Sequence, residues 1–393
     1  MAPSDRSTPA KQQAAQFVDD HTDALIEISH QIHDHPELCF EEHFAHQLLT
    51  DAIEAHGLSV ERSAYGLETA FAASAGVEGP NVAVCCEYDA LPGLGHGCGH
   101  NIIAAAGLGA GLAAASIAAE TGGRITILGT PAEEGGGGKV YMIDRGAFAD
   151  VDAAMMVHPA AHELLTMSTI AIQRLRATYR GTAAHAAAAP ERGRNALDAA
   201  VLGYNNVAAL RQHILPEERI HGIFTDAGEK PNIVPERAAA EWYVRSPTLT
   251  SLEPLKERVL GCLQAGADAA GCQLEYEWEE PAYADMADND PLLACYAANA
   301  TALGRTPVAP SRTATVVGST DMGNVSHVVP SIHPMIKVAP DGSAIHTPEF
   351  ATHSRSEHGD RAVIDGAKAM AMTIIDLWTD PSIIDAAKAF HGS

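Results

Sequence analysis

Apolar residues near the amino terminus recur at helical spacing. Over 10–34 and 41–57 they return every three or four positions, which predicts two amphipathic helices. The pattern then shortens. Four apolar runs follow, each bounded by turn residues: TAFAASA (69–75), NVAVCCEY (81–88), RITILGT (124–130) and DAAMMVH (152–158). Continuous short runs of this kind predict strands buried on both faces. Helical segments at 101–119 and 136–147 alternate with them. Strand–helix alternation predicts an α/β fold with a mostly parallel sheet flanked by helices. Ligand-binding residues are then expected beyond the carboxyl ends of the strands.

The texture changes after about residue 168. IAIQRLRATYRG (170–181) shows partial strand alternation, and a helix is predicted over 195–213. Strands near 219–225 and 236–245, a helix over 250–271 and a strand over 272–280 complete the segment. Two helices with four mostly antiparallel strands make a small α+β sandwich. The α/β texture then resumes. The predicted organisation is a first part of a catalytic domain (1–168), an inserted sandwich (169–285) and a second part of the catalytic domain (286–393).

A chain of 393 residues is long for a single core, in keeping with two domains. The formal charge of −25 argues against nucleic acid, whose phosphates recruit Lys and Arg, and against an anionic membrane surface. The longest apolar run, IIAAAGLGAGLAAASIAA (102–119), is rich in Ala and Gly and reads as a buried helix. Seven cysteines without regular spacing make no disulfide framework. With a polar amino terminus, they lead us to expect a cytoplasmic, reducing setting.

Twenty histidines make metal or proton chemistry worth seeking. GHGCGHN (95–101) offers Cys98 and His100 two residues apart, directly after a predicted strand. Thiolate and imidazole suit zinc or a similar ion. A redox pair would need C-x-x-C, which is absent here. A dinucleotide fingerprint would place His and Cys against a pyrophosphate, where they are poor neighbours. His96 is left open, as a turn residue or an outer partner of the site. PAEEGGGG (131–138) puts Glu133 and Glu134 side by side at another strand end. Adjacent carboxylates resist joint ionisation unless a cation lies between them. With one, a glutamate can ligate while the other serves as general base. The plain alternative is a solvated loop. His158 ends a further strand, and His346 lies in the late loop SAIHTPEF (343–350). Singly, these read as a core and a surface histidine. Together, Cys98, His100, Glu134, His158 and His346 are enough donors for two ions that share one ligand.

At this point the motifs resemble a known family. IHDHPELCFEE, EYDALPGLGHGCGHN, PAEEGGGG, MMVHP, GTAAHAAAAPERGRNALDA, KPNIVPERA and HTPEF occur in the order found in the aminoacylase/carboxypeptidase metallopeptidases. The chain is most similar to their amidohydrolase branch of hippurate, auxin-conjugate and p-aminobenzoyl-glutamate hydrolases. GSTDMGNVS (318–326) and GHGCGHN resemble p-aminobenzoyl-glutamate hydrolase and the β-alanyl-lysine-type dipeptidases. The resemblance spans roughly 25 to 380.

It implies a homodimeric hydrolase with two divalent metal ions per subunit, zinc or manganese, with cobalt or nickel as alternatives. The inserted domain would serve dimerisation. Cys98 would bridge the ions, with His100, Glu134, His158 and His346 completing them. Glu133 would be the base. Asp89 matches the position that orients a ligand, and Glu87 stands where some relatives place a histidine ligand. His185 matches a histidine that crosses the dimer interface to stabilise the oxyanion. Asn232 and Arg245 are candidate substrate contacts, Arg245 equally a structural ion pair. The substrate would be a small N-acyl or aminobenzoyl amino acid or a dipeptide. The competing reading is a metal-binding regulator without activity. The intact Glu133–Glu134 pair argues against it, because a regulator has no need of the base.

Overall fold

The computed structural model describes residues 7–311 and 317–392. The chain divides into two compact units. One comprises the residues up to Ser168 and those from Met286 on; the other is Thr169–Asp285.

The first unit is built on a six-stranded sheet. In chain order its strands are β1 (Val60–Arg62), β2 (Phe71–Ala75), β3 (Asn81–Cys86), β4 (Arg124–Gly129), β5 (Ala153–Met155) and the short strand Ser331–Ile332. In space the order is β1-β2-β4-β3-β5 and then Ser331–Ile332. From β4 to the last strand all pairings are parallel, while β1 and β2 join antiparallel. Too few residues separate β2 from β3 for a helical crossover, so these two run in opposite directions. The mostly parallel sheet is thus as the hydrophobic pattern predicts.

Helices cover the sheet. α1 (Ser7–Asp20), α2 (Thr22–Asp34) and α3 (His43–Ala55) precede it or accompany its edge, α4 (His100–Thr121) links β3 to β4, and α5 (Gly138–Asp144) follows β4. α4 is the apolar run of membrane-spanning length, and it lies mostly buried inside the core. Its small residues permit this. A Cβ on Gly107 would lie 2.8 Å from Cys86 Sγ, and one on Gly111 would lie 2.5 Å from Ile127 Cγ1. The helix axis therefore rests close on β3 and β4, which fixes His100, its first residue, at the carboxyl edge of the sheet.

Two elements differ from the pattern. The helix expected over 10–34 is broken after Asp20, where the His21 ring nitrogen Nδ1 bonds the Phe17 carbonyl at 2.7 Å. A side chain that engages the preceding turn competes with continuation of the helix. The run 152–158 is not one strand. β5 ends at Met155, and His158–Ala160 pairs separately with Met335–Lys337, so the chain turns just before His158.

The second unit contains four antiparallel strands, β6 (Ala171–Arg180), β7 (Arg219–Asp226), β8 (Arg237–Ser246) and β9 (Gln273–Tyr283), in the spatial order β9-β6-β8-β7. Alternate residues Leu175, Ala177, Tyr179, Ala240, Trp242 and Val244 form its core with helices α6 (Ala196–Leu210) and α7 (Leu249–Ala270). Asn195 caps α6, and a Thr248–Ser251 capping box starts α7, which satisfies the amides that open each helix.

Candidate metal centre

The carboxyl ends of β3, β4 and β5 deliver the chemistry of the first unit. Glu87, Asp89, Cys98 and His100 follow β3, Glu133 and Glu134 follow β4, and His158 lies just past β5. His346 arrives from a later loop, whose amide donates to the Gly97 carbonyl at 2.8 Å. That bond ties the loop to the turn carrying Cys98.

These side chains converge. Cys98 Sγ is 3.4 Å from His158 Nε2. His100 Nε2 lies 3.9 Å from both Glu133 Oε2 and Glu134 Oε1. His346 Nε2 is 3.4 Å from Glu134 Oε1. Three groups each place their donor atoms within 4.8 Å of one another: Cys98–His100–His158, Cys98–Glu134–His346 and His100–Glu133–Glu134. Cys98 belongs to the first two, so its sulfur lies where two ions would share it.

The surroundings fix the donors. Asp89 Oδ1 accepts from His100 Nδ1 at 3.1 Å, and its Oδ2 accepts from the Glu134 amide at 2.8 Å. His158 Nδ1 donates to the Pro159 carbonyl at 2.8 Å. In both rings Nδ1 is engaged by an oxygen acceptor and Nε2 faces the cluster, the orientation a ligating histidine requires. Backbone strain contributes too. Ala132 and His346 hold left-handed φ angles of 60° and 62°, sparsely populated for residues with a Cβ and persistent only where contacts enforce them.

Electrostatics follow from burial. Burial pushes the Glu133 carboxyl well above its usual range, and the charges of Glu134 and Glu87 add to the effect. Burial also works to raise Glu134, but His346 beside its Oε1 and the charge of His100 hold it below its ordinary value. Burial likewise raises the Cys98 thiol. Among the described residues, His100 Nε2, Glu134 Oε1 and Glu87 Oε2 are buried without a hydrogen-bond partner. Orphaned polar atoms are costly, and divalent cations in the donor groups would answer those of His100 and Glu134. Thiolate, imidazole and carboxylate together suit zinc and its first-row neighbours. The residues thus fit a metal centre.

Sequence reasoning missed a second layer. Lys139 is fully buried; its Nζ donates to Glu87 Oε1 at 2.5 Å and to Asp321 Oδ1 at 2.8 Å, and its amide donates to Asp321 Oδ2 at 2.9 Å. The other Glu87 oxygen lies 3.6 Å from His100 Nε2. Glu87 therefore links a buried ammonium to the cluster. His333 is buried, neither ring nitrogen finding a partner among the described residues, its centroid 5.3 Å from that of His158. A lysine after four glycines and a histidine in an apolar run gave little sign of this. His96 stands outside the three donor groups; its Nε2 donates to the Ile32 carbonyl at 3.0 Å, anchoring the last turn of α2.

The remaining candidates lie in the second unit. His185 is exposed, and its Nδ1 accepts from the amides of Ala187 at 3.2 Å and Ala188 at 3.1 Å. A neutral ring so held carries its proton on Nε2, which makes that nitrogen a donor. Asn232 is adjacent, its carbonyl accepting from the Ala186 amide at 3.0 Å. Arg245 is not brought to them. It lies near the far end of β8, half-buried, its Nε 3.3 Å from His221 Nε2.

The model of peptidase family M20/M25/M40 matches residues 83–375. A mouse Xaa-Arg dipeptidase is 39% identical, the alignment covering 96% of this chain and 91% of that protein. A p-aminobenzoyl-glutamate hydrolase subunit of Escherichia coli is 29% identical over 97% of this chain and 95% of its own length. Among solved structures, a Bacillus subtilis dinuclear metal binding peptidase from the M20 family superposes with a TM-score of 0.71 at 19% identity, covering 91% of this chain and 99% of that one.

Burial holds His333 down to about 4, against roughly 6.5 for an unfolded histidine. Below that unfolded value the unfolded chain takes the proton first, so the contribution of a neutral His333 is lost as pH falls from about 6.5 toward 4. We predict that metal-free His333→Phe gains stability relative to the parent over that window, by up to about 1.4 kcal/mol per pH unit. Urea unfolding in chelator checks this; a difference that stays constant with pH contradicts it.

Proposed function

The chain belongs to peptidase family M20/M25/M40 and is a metal-dependent hydrolase of C–N amide bonds, and from this premise we propose a two-ion site that cleaves a small N-acyl or aminobenzoyl amino acid or a dipeptide. One observation carries the reading: two donor groups share Cys98, with Glu133 beside them. Cys98, His100 and His158 would hold one ion, and Cys98, Glu134 and His346 the other. Divalent ions there, zinc or manganese with cobalt or nickel as alternatives, supply Lewis acidity that activates water and polarises an amide carbonyl. The relatives' names, a dipeptidase and a p-aminobenzoyl-glutamate hydrolase, support a small amide that releases an amino acid.

The protein's own residues handle the proton. Glu133 is buried, its Oε2 3.9 Å from His100 Nε2 at the edge of the donor groups. It takes a proton from the attacking water and returns it to the departing nitrogen. Asp89 keeps Nδ1 of His100 protonated, so that Nε2 faces the ion. His185, with its Nδ1 occupied by two backbone amides, presents Nε2–H to the oxyanion that develops on the carbonyl. We assign this donor to the site of a partner copy in a homodimer, and Asn232 beside it to the substrate.

Glu133→Gln is expected to keep fold and metal while kcat falls at least about 100-fold on an N-acyl amino acid, aminobenzoyl-glutamate or dipeptide substrate, because an amide cannot accept the proton. Near-parental turnover by the metal-replete variant contradicts the assignment. His185→Ala is expected to lower kcat on the order of 100-fold. Mixing it with Glu133→Gln under subunit exchange restores activity if His185 serves a partner's site. Verified mixed dimers that stay inactive reject the trans role.

A further inference from the structure

Glu42 directly precedes α3 and is fully buried, yet its side chain does not cap that helix. Glu37 does so instead, its two carboxylate oxygens accepting from the amides of Phe44 at 2.8 Å and Ala45 at 3.0 Å. The Glu42 carboxylate reaches elsewhere. Oε1 accepts from the amides of Phe40 and Ala132, both at 2.9 Å, and Oε2 accepts from the Thr69 hydroxyl at 2.6 Å. Phe40 and Ala132 are both left-handed, with φ of 62° and 60°. For a residue with a Cβ that hand is disfavoured.

Ala132 immediately precedes the Glu133–Glu134 pair. Its carbonyl accepts from the amides of Gly136 at 3.1 Å and Gly137 at 2.7 Å, so the turn that carries both glutamates closes on this one residue. The hand of Ala132 therefore sets where Glu133 and Glu134 point. An apolar side chain would fill the same space without the desolvation cost of a carboxyl group; what it would lack is an acceptor for the two amides.

We infer that Glu42 is a positioning residue whose carboxylate locks Ala132 in its left-handed conformation and thereby aims Glu133 at the attacking water and Glu134 at its ion. The inference rests on the proton-acceptor role proposed for Glu133. The signal was present in the motif ELCFEE (37–42), but nothing in the sequence ties its last residue to a loop ninety positions away.

The test uses four substitutions in the full-length, metal-loaded protein. Glu42→Gln retains an oxygen for both amides and should stay within about threefold of the parent in kcat, since the acceptor is kept. Glu42→Asp keeps the acidic group but falls one methylene short, and Glu42→Ala removes the acceptor. Both should lose on the order of 100-fold in kcat with KM little changed, and amide exchange across 129–138 should accelerate. Ala132→Gly alone should remain near the parent. Combined with Glu42→Ala it should recover roughly five- to tenfold, because glycine occupies both hands about equally whereas alanine without the strut turns right-handed.

Parental kcat and exchange in Glu42→Asp and Glu42→Ala would overturn the inference, and so would a loss that Ala132→Gly leaves untouched. If Glu42→Ala fails to fold, the Gln–Asp contrast and Ala132→Gly in the Asp background carry the same test. The exchange measurement needs no turnover. Faster exchange in Glu42→Asp alongside a fully active Glu133→Gln would refute the base and leave the strut standing.

Discussion

Carboxylates crowded into a buried pocket repel one another, and the first unit is organised around answering that repulsion. Glu87, Asp89, Glu133 and Asp321 are all buried at the carboxyl edge of one sheet. Lys139 answers Glu87 and Asp321 with a single ammonium. Asp89 is answered by His100 and by the Glu134 amide, which hold its carboxyl down to about 2 even though burial works to raise it. Around Glu133, Glu134 and Cys98 stand histidines and orphaned polar atoms. Removing such charges from water is favourable only when they are paired or coordinate a cation. The pocket is thus built for metal; burial first, and then the carboxylates crowded beside it, push the Glu133 carboxyl above its ordinary value.

Rigid elements hold this arrangement. The small residues of α4 let it lie against β3 and β4, which places His100 at the sheet edge beside the loops that follow each strand. Backbone bonds then lace the loops together: His346 to Gly97, Glu134 to Asp89, Lys139 to Asp321 and Ala132 to Glu42. Each joins residues remote in sequence. Geometry of this kind is what a site must have if reacting groups are to be aimed without reorganisation.

Much of this was legible in the sequence, for reasons particular to the residues. Buried strands leave apolar runs, so β2 to β5 announced themselves and fixed which loops share an edge. Cys98, His100, Glu133 and Glu134 stood out as polar donors clustered at the ends of such runs, while His158 read as a core histidine until taken together with them; the structure brings all five together. What stayed hidden depends on distance along the chain. Lys139 reads as an ordinary helix-start lysine until the fold encloses it between residues 87 and 321. His333 sits in an apolar stretch, and only three-dimensional burial shows that its nitrogens lack partners among the described residues. The break after Asp20 and the turn before His158 were invisible to periodicity, since the apolar spacing continues across both. Antiparallel register, which periodicity does not reveal, sets Arg245 at the far end of β8 from the loop of Asn232.

Whether one sulfur organises two ions is tested most directly by anomalous diffraction from crystals of the zinc- or manganese-loaded protein. Two peaks are expected to flank Cys98 Sγ, one ligated by His100 and His158 and the other by Glu134 and His346. A single peak, or ions bound away from Cys98, would contradict the shared-sulfur centre.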